Sequence, residues 1–240
     1  MTIREIQTAL AKAGYLPGPI DGAWGRQTAA AVRAFQKDKG LQVDGIAGPQ
    51  TTAALAALSA PAGTVLAPSK PPLVWLAEAR HLLGLKEGPG AIDNPKILQW
   101  ASDLGQSIYK SDDIPWCGLF VAHCVGSTLP DEPLPANPLG ARAWERFGHT
   151  IPPTRGAVMV FWRNSRQSGL GHVGFYVGED GRGDQGAYCI LGGNQSDSVS
   201  LAWIAKDRLV GARWPSTFSP LLEGPTMLAS RTTGLSVNEA

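Results

Sequence analysis

Several things are scarce in this 240-residue chain, and each scarcity excludes a class of protein. It has three cysteines, Cys117, Cys124 and Cys189, odd in number and far apart, which argues against a disulfide framework. Cys124 and Cys189 have no histidine at ligand spacing and read as small buried hydrophobes. The four histidines, His81, His123, His149 and His172, show no His-Glu-x-x-His pattern, so a metal-dependent hydrolase is not expected, nor any metal or cofactor. Charge of either sign is sparse: 21 Lys and Arg against 20 Asp and Glu give a net charge of +1, with no bulk attraction for nucleic acid. No apolar run approaches the ~18 residues that span a bilayer, so membrane insertion is not expected. The opening Met1-Thr2-Ile3-Arg4-Glu5-Ile6 lacks the charged-then-apolar layout of a secretory signal. An apolar content of 43% then describes an ordinary globular protein, long enough for one small and one larger domain.

The first 58 residues hold a repeat. Ile20-Asp21-Gly22-Ala23-Trp24-Gly25-Arg26-Gln27-Thr28 returns as Val43-Asp44-Gly45-Ile46-Ala47-Gly48-Pro49-Gln50-Thr51, with Asp, both glycines, Gln and Thr at one constant offset. Each copy is an Asp-Gly turn leading into a helix, over residues 28–37 and 51–58. Ile6, Ala9, Leu10 and Ala13 add a helix before them, so three short helices around a small core are expected for residues 1–58. Asp21 and Asp44 read as turn and cap residues. Tyr15 and Trp24 are the candidates for contact with a ligand, because exposed aromatics stack on sugars or peptides.

Residues 59–72, rich in Pro, Ala and Ser, read as a linker. From residue 73 helical patterns come first (73–83, 94–104, 117–127 and 138–147), with Asn94-Pro95 as a cap and first-turn pair. Strand patterns follow at 156–162, 171–178, 186–191 and 198–204. Helices followed by strands predict an α+β domain over 73–216. Residues 217–240 are polar and aperiodic and read as a flexible tail.

The chemistry concentrates in Ile114-Pro115-Trp116-Cys117-Gly118 and the apolar run after it. Pro115 disfavours helix before it, so a helix beginning at Cys117 would aim unpaired N–H groups and a positive dipole end at the thiol. His172 opens a strand that a second strand follows through a Gly- and Asp-rich turn, and Gly192-Gly193-Asn194-Gln195 closes the hairpin. The start of one antiparallel strand lies across from the end of its partner, which makes His172 and Asn194 plausible neighbours. Cys117 as nucleophile, His172 as base and Asn194 as orienting group form a Cys-His-Asn plan, with the backbone N–H groups of Cys117 and Gly118 receiving the oxyanion. Trp116 is a candidate cleft wall and Gln195 a candidate substrate contact. A rival plan pairs Glu87 and Asp93 as the carboxylates of a glycan-cleaving enzyme.

Two resemblances go with these motifs. On the doubled Asp-Gly-x-x-Gly-x-x-Thr pattern and on Gly14-Tyr15-Leu16, residues 1–58 resemble the three-helix peptidoglycan-binding domains. On Trp116-Cys117-Gly118, Gly171-His172-Val173-Gly174 and Gly192-Gly193-Asn194-Gln195, the larger domain resembles the NlpC/P60 and CHAP group of cell-wall hydrolases. Many CHAP members place a Glu two residues before the Asn, where this chain has Gly192. The resemblance implies a papain-like fold and an endolysin-like cysteine peptidase or amidase. Such an enzyme cuts peptidoglycan either in the stem peptide or between muramic acid and alanine. It implies peptidoglycan as partner; a monomer is expected, made in the cytoplasm and, without a signal, reaching the wall through a holin-type pore, a dedicated secretion system or release on lysis. A binding or phage structural protein that has lost activity is the non-enzyme alternative.

Overall fold

The computed structural model describes residues 1–59, 72–90, 92–220, 226–228 and 235–236. Most of the expected linker, and much of the expected tail, therefore lie outside the described residues. The chain divides into two compact units, Met1–His81 with Val125–Asp131, and Leu82–Cys124 with Glu132–Ala240.

In the first unit, α1 (Ile3–Lys12), α2 (Arg26–Asp38) and α3 (Pro49–Ser59) match the three helices expected. Thr2 and Glu5 form a capping box at the start of α1, each side chain answering the other's backbone N–H. Ile6, Leu10, Val32, Phe35 and Leu55 make the core, all fully buried. Trp24 joins them with no accessible surface, which corrects its expected stacking role: so small a core needs the indole's bulk. Tyr15 is half-buried, with its ring edge on Phe35 and its hydroxyl donating to Asp38 at 2.9 Å.

The repeat acquires a physical reason here. Gln7 on α1 donates from Nε2 to Ala23 O (2.8 Å) and Asp21 Oδ1 (3.0 Å), and its Oε1 accepts Gly22 N–H (2.8 Å). Gln36 on α2 does the same for the second copy, donating to Ile46 O (2.9 Å) and Asp44 Oδ1 (2.6 Å) and accepting Gly45 N–H (2.8 Å). Thr28 and Thr51 close each network. The turns need Gly22 and Gly45 at φ of +81° and +74°. Asp, Gly and Thr thus recur because a buried glutamine latches each turn.

α4 (Val74–His81) also belongs to the first unit. The second unit holds α5 (Pro95–Asp103), capped by Asn94 Oδ1 on Lys96 N–H at 2.9 Å, and the start of α6 (Cys117–Thr128). The helix expected over 138–147 is a short 3₁₀ helix, Ala141–Arg146. The strands are β1 (His149–Thr150), β2 (Val158–Trp162), β3 (Gly171–Glu179), β4 (Ala187–Gly192), β5 (Ser200–Ala205) and β6 (Leu209–Trp214). They form one sheet of order β1-β6-β2-β3-β4-β5, antiparallel at every pairing, so the chain is α+β. β1 and β6 have no counterpart in the sequence pattern. β1 is two residues long, and Gly211 interrupts the apolar run of β6.

β3 and β4 make the expected hairpin, with Phe175 opposite Leu191 and Tyr176 opposite Ile190. Phe120 of α6 meets Phe175 edge-on at 6.1 Å, which docks the start of that helix on the sheet. Within the stretch read as a tail, Glu179 exchanges backbone bonds with Thr226 and Leu228 (2.9 Å each). Among the described residues no helix is long and apolar enough to cross a membrane.

Candidate active site

Cys117 is the first residue of α6, as Pro115 dictates, and is 3% exposed. The backbone N–H groups of Val173 and Gly118 act on its sulfur, which sets the thiol against the opening of β3. Burial pushes the thiol up, overriding those N–H groups and the charge of Arg163, all of which pull it down. The lowered thiol expected from the helix start alone is therefore outweighed by desolvation.

His172 is fully buried at the start of β3, opposite Phe161 of β2. Its Nε2 meets Gln195 Oε1 at 3.1 Å. The amide of Gln195 is fixed at its other end, where Nε2 donates to Ser200 O at 2.5 Å and reaches Ile190 O at 3.5 Å. With the NH₂ committed to carbonyls, Oε1 must face the ring and accept. His172 therefore carries its proton on Nε2, and Nδ1 is the basic nitrogen.

The structure brings Gln195 to the imidazole Nε2, one residue beyond the Asn194 expected there from sequence. The side chain on the imidazole is Gln195, and Asn194 turns away to donate from Nδ2 to Glu87 Oε1 at 3.3 Å. The reason lies in the loop: Asn194, Ser196 and Asp197 all adopt left-handed φ, near +56°, +52° and +56°. Such winding reverses side-chain directions that spacing alone takes as regular. Gly192 provides the room. A Cβ there would lie 2.8 Å from Gln195 Oε1 and 2.9 Å from His172 Nε2. Gly192 thus leaves space for an amide that arrives from further along the chain. The absence of a side chain at 192 was the signal available in the sequence.

The other expected residues are placed as follows. Gly118 follows Cys117 in the first turn of α6, where backbone N–H groups lack intrahelical partners. Trp116 is fully buried and packs 6.3 Å from Trp100, which corrects its expected role as a cleft wall. Gln195 is 2% exposed and engaged with His172, which replaces its expected role as a substrate contact. Glu87 Oε1 accepts Trp116 Nε1–H at 2.6 Å, and burial raises its carboxyl against that bond. Asp93 Oδ1 accepts Asp112 N–H at 2.8 Å, a bond that lowers its carboxyl. Neither carboxylate of the rival plan is unengaged. Among the described residues no group of three or more His, Cys, Asp or Glu side chains could hold a metal ion.

Residues 2–55 match the family model of a peptidoglycan binding domain. Two curated relatives match part of the chain. The chain is 45% identical over 62 residues to a "Probable N-acetylmuramoyl-L-alanine amidase" of Bacillus licheniformis, covering 23% of this chain and 18% of that protein. It is 39% identical over 57 residues to the N-acetylmuramoyl-L-alanine amidase CwlM of Mycobacterium tuberculosis, covering 24% of this chain and 14% of that protein. The chain thus spans less than a fifth of the length of either relative. No solved structure matches it.

Proposed function

We propose that the chain is a peptidoglycan hydrolase that cuts an amide bond by a Cys-His-Gln mechanism on a papain-like plan, with residues 1–58 holding it on the wall. The observation that carries this reading is the buried imidazole of His172, engaged through Nε2 by Gln195, on a strand whose next residue, Val173, brings its backbone N–H to the thiol of Cys117 at the start of α6. A buried histidine held in one tautomer, with Nδ1 as its basic nitrogen and a thiol served by the same strand, is suited to proton transfer. The peptidoglycan-binding match and the amidase names of the two relatives support the polymer as substrate.

In this mechanism Nδ1 of His172 takes the Cys117 proton, and the sulfur attacks the amide carbon. Because burial keeps the thiol protonated at rest, the transfer accompanies the attack and no standing ion pair is needed. The oxyanion receives the N–H groups of Cys117 and Gly118. The imidazolium protonates the leaving amine, and the C–N bond breaks to a thioester. Water, deprotonated by Nδ1, then hydrolyses the thioester and returns the thiol. The scissile bond is either within the stem peptide or between muramic acid and L-alanine. Engagement of Glu87 and Asp93 supports amide cleavage over the glycan-cleaving alternative.

The test is digestion of purified sacculi by wild type and Cys117→Ala, with free amines and reducing ends measured and the fragments identified by mass spectrometry. New amines without new reducing ends, lost in the variant while sacculus binding persists, are expected. Reducing ends in place of amines, or full activity in Cys117→Ala, would overturn the reading.

A further inference from the structure

We infer that Glu87 is a positioning residue for this site: one carboxylate oxygen ties the residue before the nucleophile to the residue before the imidazole's partner. The inference rests on the Cys-His-Gln reading above. Glu87 Oε1 accepts Trp116 Nε1–H at 2.6 Å and Asn194 Nδ2–H at 3.3 Å. Trp116 precedes Cys117 and Asn194 precedes Gln195, so a single atom sets the gap between the start of α6 and the loop after β4. Both partners are shut away from water, at 0% and 5% exposure, which makes each bond costly to lose and sharp in geometry. Gly193 lies inside the same clamp, where a Cβ would come within 2.6 Å of both the Trp116 ring and Phe120.

The loop that carries Glu87 is itself anchored on both sides. Glu87 N–H donates to Asp197 O at 3.0 Å, and Lys86 bridges Ser198, so one side is stitched to the loop that follows Gln195. On the other side Asp112 Oδ2 accepts Gly88 N–H (2.8 Å) and Asn94 N–H (2.7 Å), while Asn94 Nδ2 donates to Lys86 O (2.6 Å). A loop held this firmly around one carboxylate is a brace. Glu87 touches neither the thiol nor the ring. It acts through Trp116 and Asn194, and its two bonds need an acceptor oxygen and not a negative charge.

Steady-state rates on soluble muropeptides, with thermal unfolding of each protein, test this. Glu87→Ala should lower kcat by roughly 10- to 100-fold, the scale on which small misplacements act, with KM within about twofold of wild type. Glu87→Gln keeps an acceptor oxygen and should recover most of kcat. Trp116→Phe removes one donor but keeps the ring's bulk, and should lose kcat severalfold even if Glu87→Ala folds poorly. Wild-type kcat in Glu87→Ala and Trp116→Phe would overturn the inference. So would equal losses in the Ala and Gln variants, because that pattern demands the carboxylate's charge or proton. A kcat loss that only follows the unfolded fraction would overturn it as well. Activity surviving in Cys117→Ala would instead bring down the reading beneath it.

Discussion

Three buried glutamines, two in the first unit and one in the second, use the same hydrogen-bond inventory for opposite ends. Gln7, Gln36 and Gln195 are 1%, 1% and 2% exposed, so each must satisfy its amide from within. All three give their NH₂ to backbone carbonyls. In the first unit the carbonyl oxygen then accepts a backbone N–H from an Asp-Gly turn, and the result is a closed, static latch. In the second unit the same oxygen faces the ring of His172, a group that can gain and lose a proton. A buried amide is structural or functional according to what its last oxygen meets.

Breaking each latch should separate the two uses. Gln195→Ala frees the imidazole and unsets its tautomer, and should lower kcat about 10²-fold, about 2.7 kcal/mol of transition-state stabilisation. It also strips the Ser200 carbonyl of its donor, at about 1 kcal/mol of stability. Gln36→Ala should do the reverse. Its loss leaves the N–H groups of Asp44 and Gly45 unpaired and costs about 2 kcal/mol of stability, while rates on soluble muropeptides stay unchanged. Paired denaturant melts and kinetics decide this, and a Gln195→Ala protein with wild-type kcat would sink the contrast. Gly192→Ala tests the space around the second latch. Its methyl group would press on both Gln195 Oε1 and His172 Nε2 and should cost about tenfold in kcat, with binding to sacculi retained.

These contrasts also explain what the sequence could and could not disclose. The three small helices, the α6 start at Cys117 and the β3–β4 hairpin follow from periodicity, Pro115 and turn residues, which act locally. β6 was hidden because it pairs with β2 from far along the chain, and Gly211 breaks its pattern. Gln7 and Gln36 were hidden because the repeat displays the residues they hold and not the latch itself. Trp24 looks identical in sequence whether it stacks on sugar or fills a core; only burial decides. That Gln195 and not Asn194 meets the imidazole goes with the left-handed φ of the loop around them, a winding set by tertiary packing that spacing does not display.

The smallest effect concerns the thiol's surroundings. Arg163 extends the β2–β3 ladder one residue past Trp162, its N–H donating to Leu170 O at 3.0 Å. Among the described residues its guanidinium makes no hydrogen bond or ion pair, and its charge lowers the Cys117 thiol that burial raises. Removing that charge must therefore move the thiol further up, so thiolate at a given pH falls. Arg163→Ala should shift the alkylation rate of Cys117 to higher pH and slow it near neutrality by well under tenfold, since a half-exposed charge is screened. Arg163→Lys should keep most of the wild-type profile, and added salt should narrow the gap between wild type and the Ala variant. Cys189 does not confuse the readout, because burial pushes its thiol up to about 11. Superimposable profiles for wild type and Arg163→Ala would show that the guanidinium leaves the thiol untouched. Unlike Gln195, whose oxygen meets the ring directly, Arg163 acts only through its field, and the smaller expected effect follows from that difference.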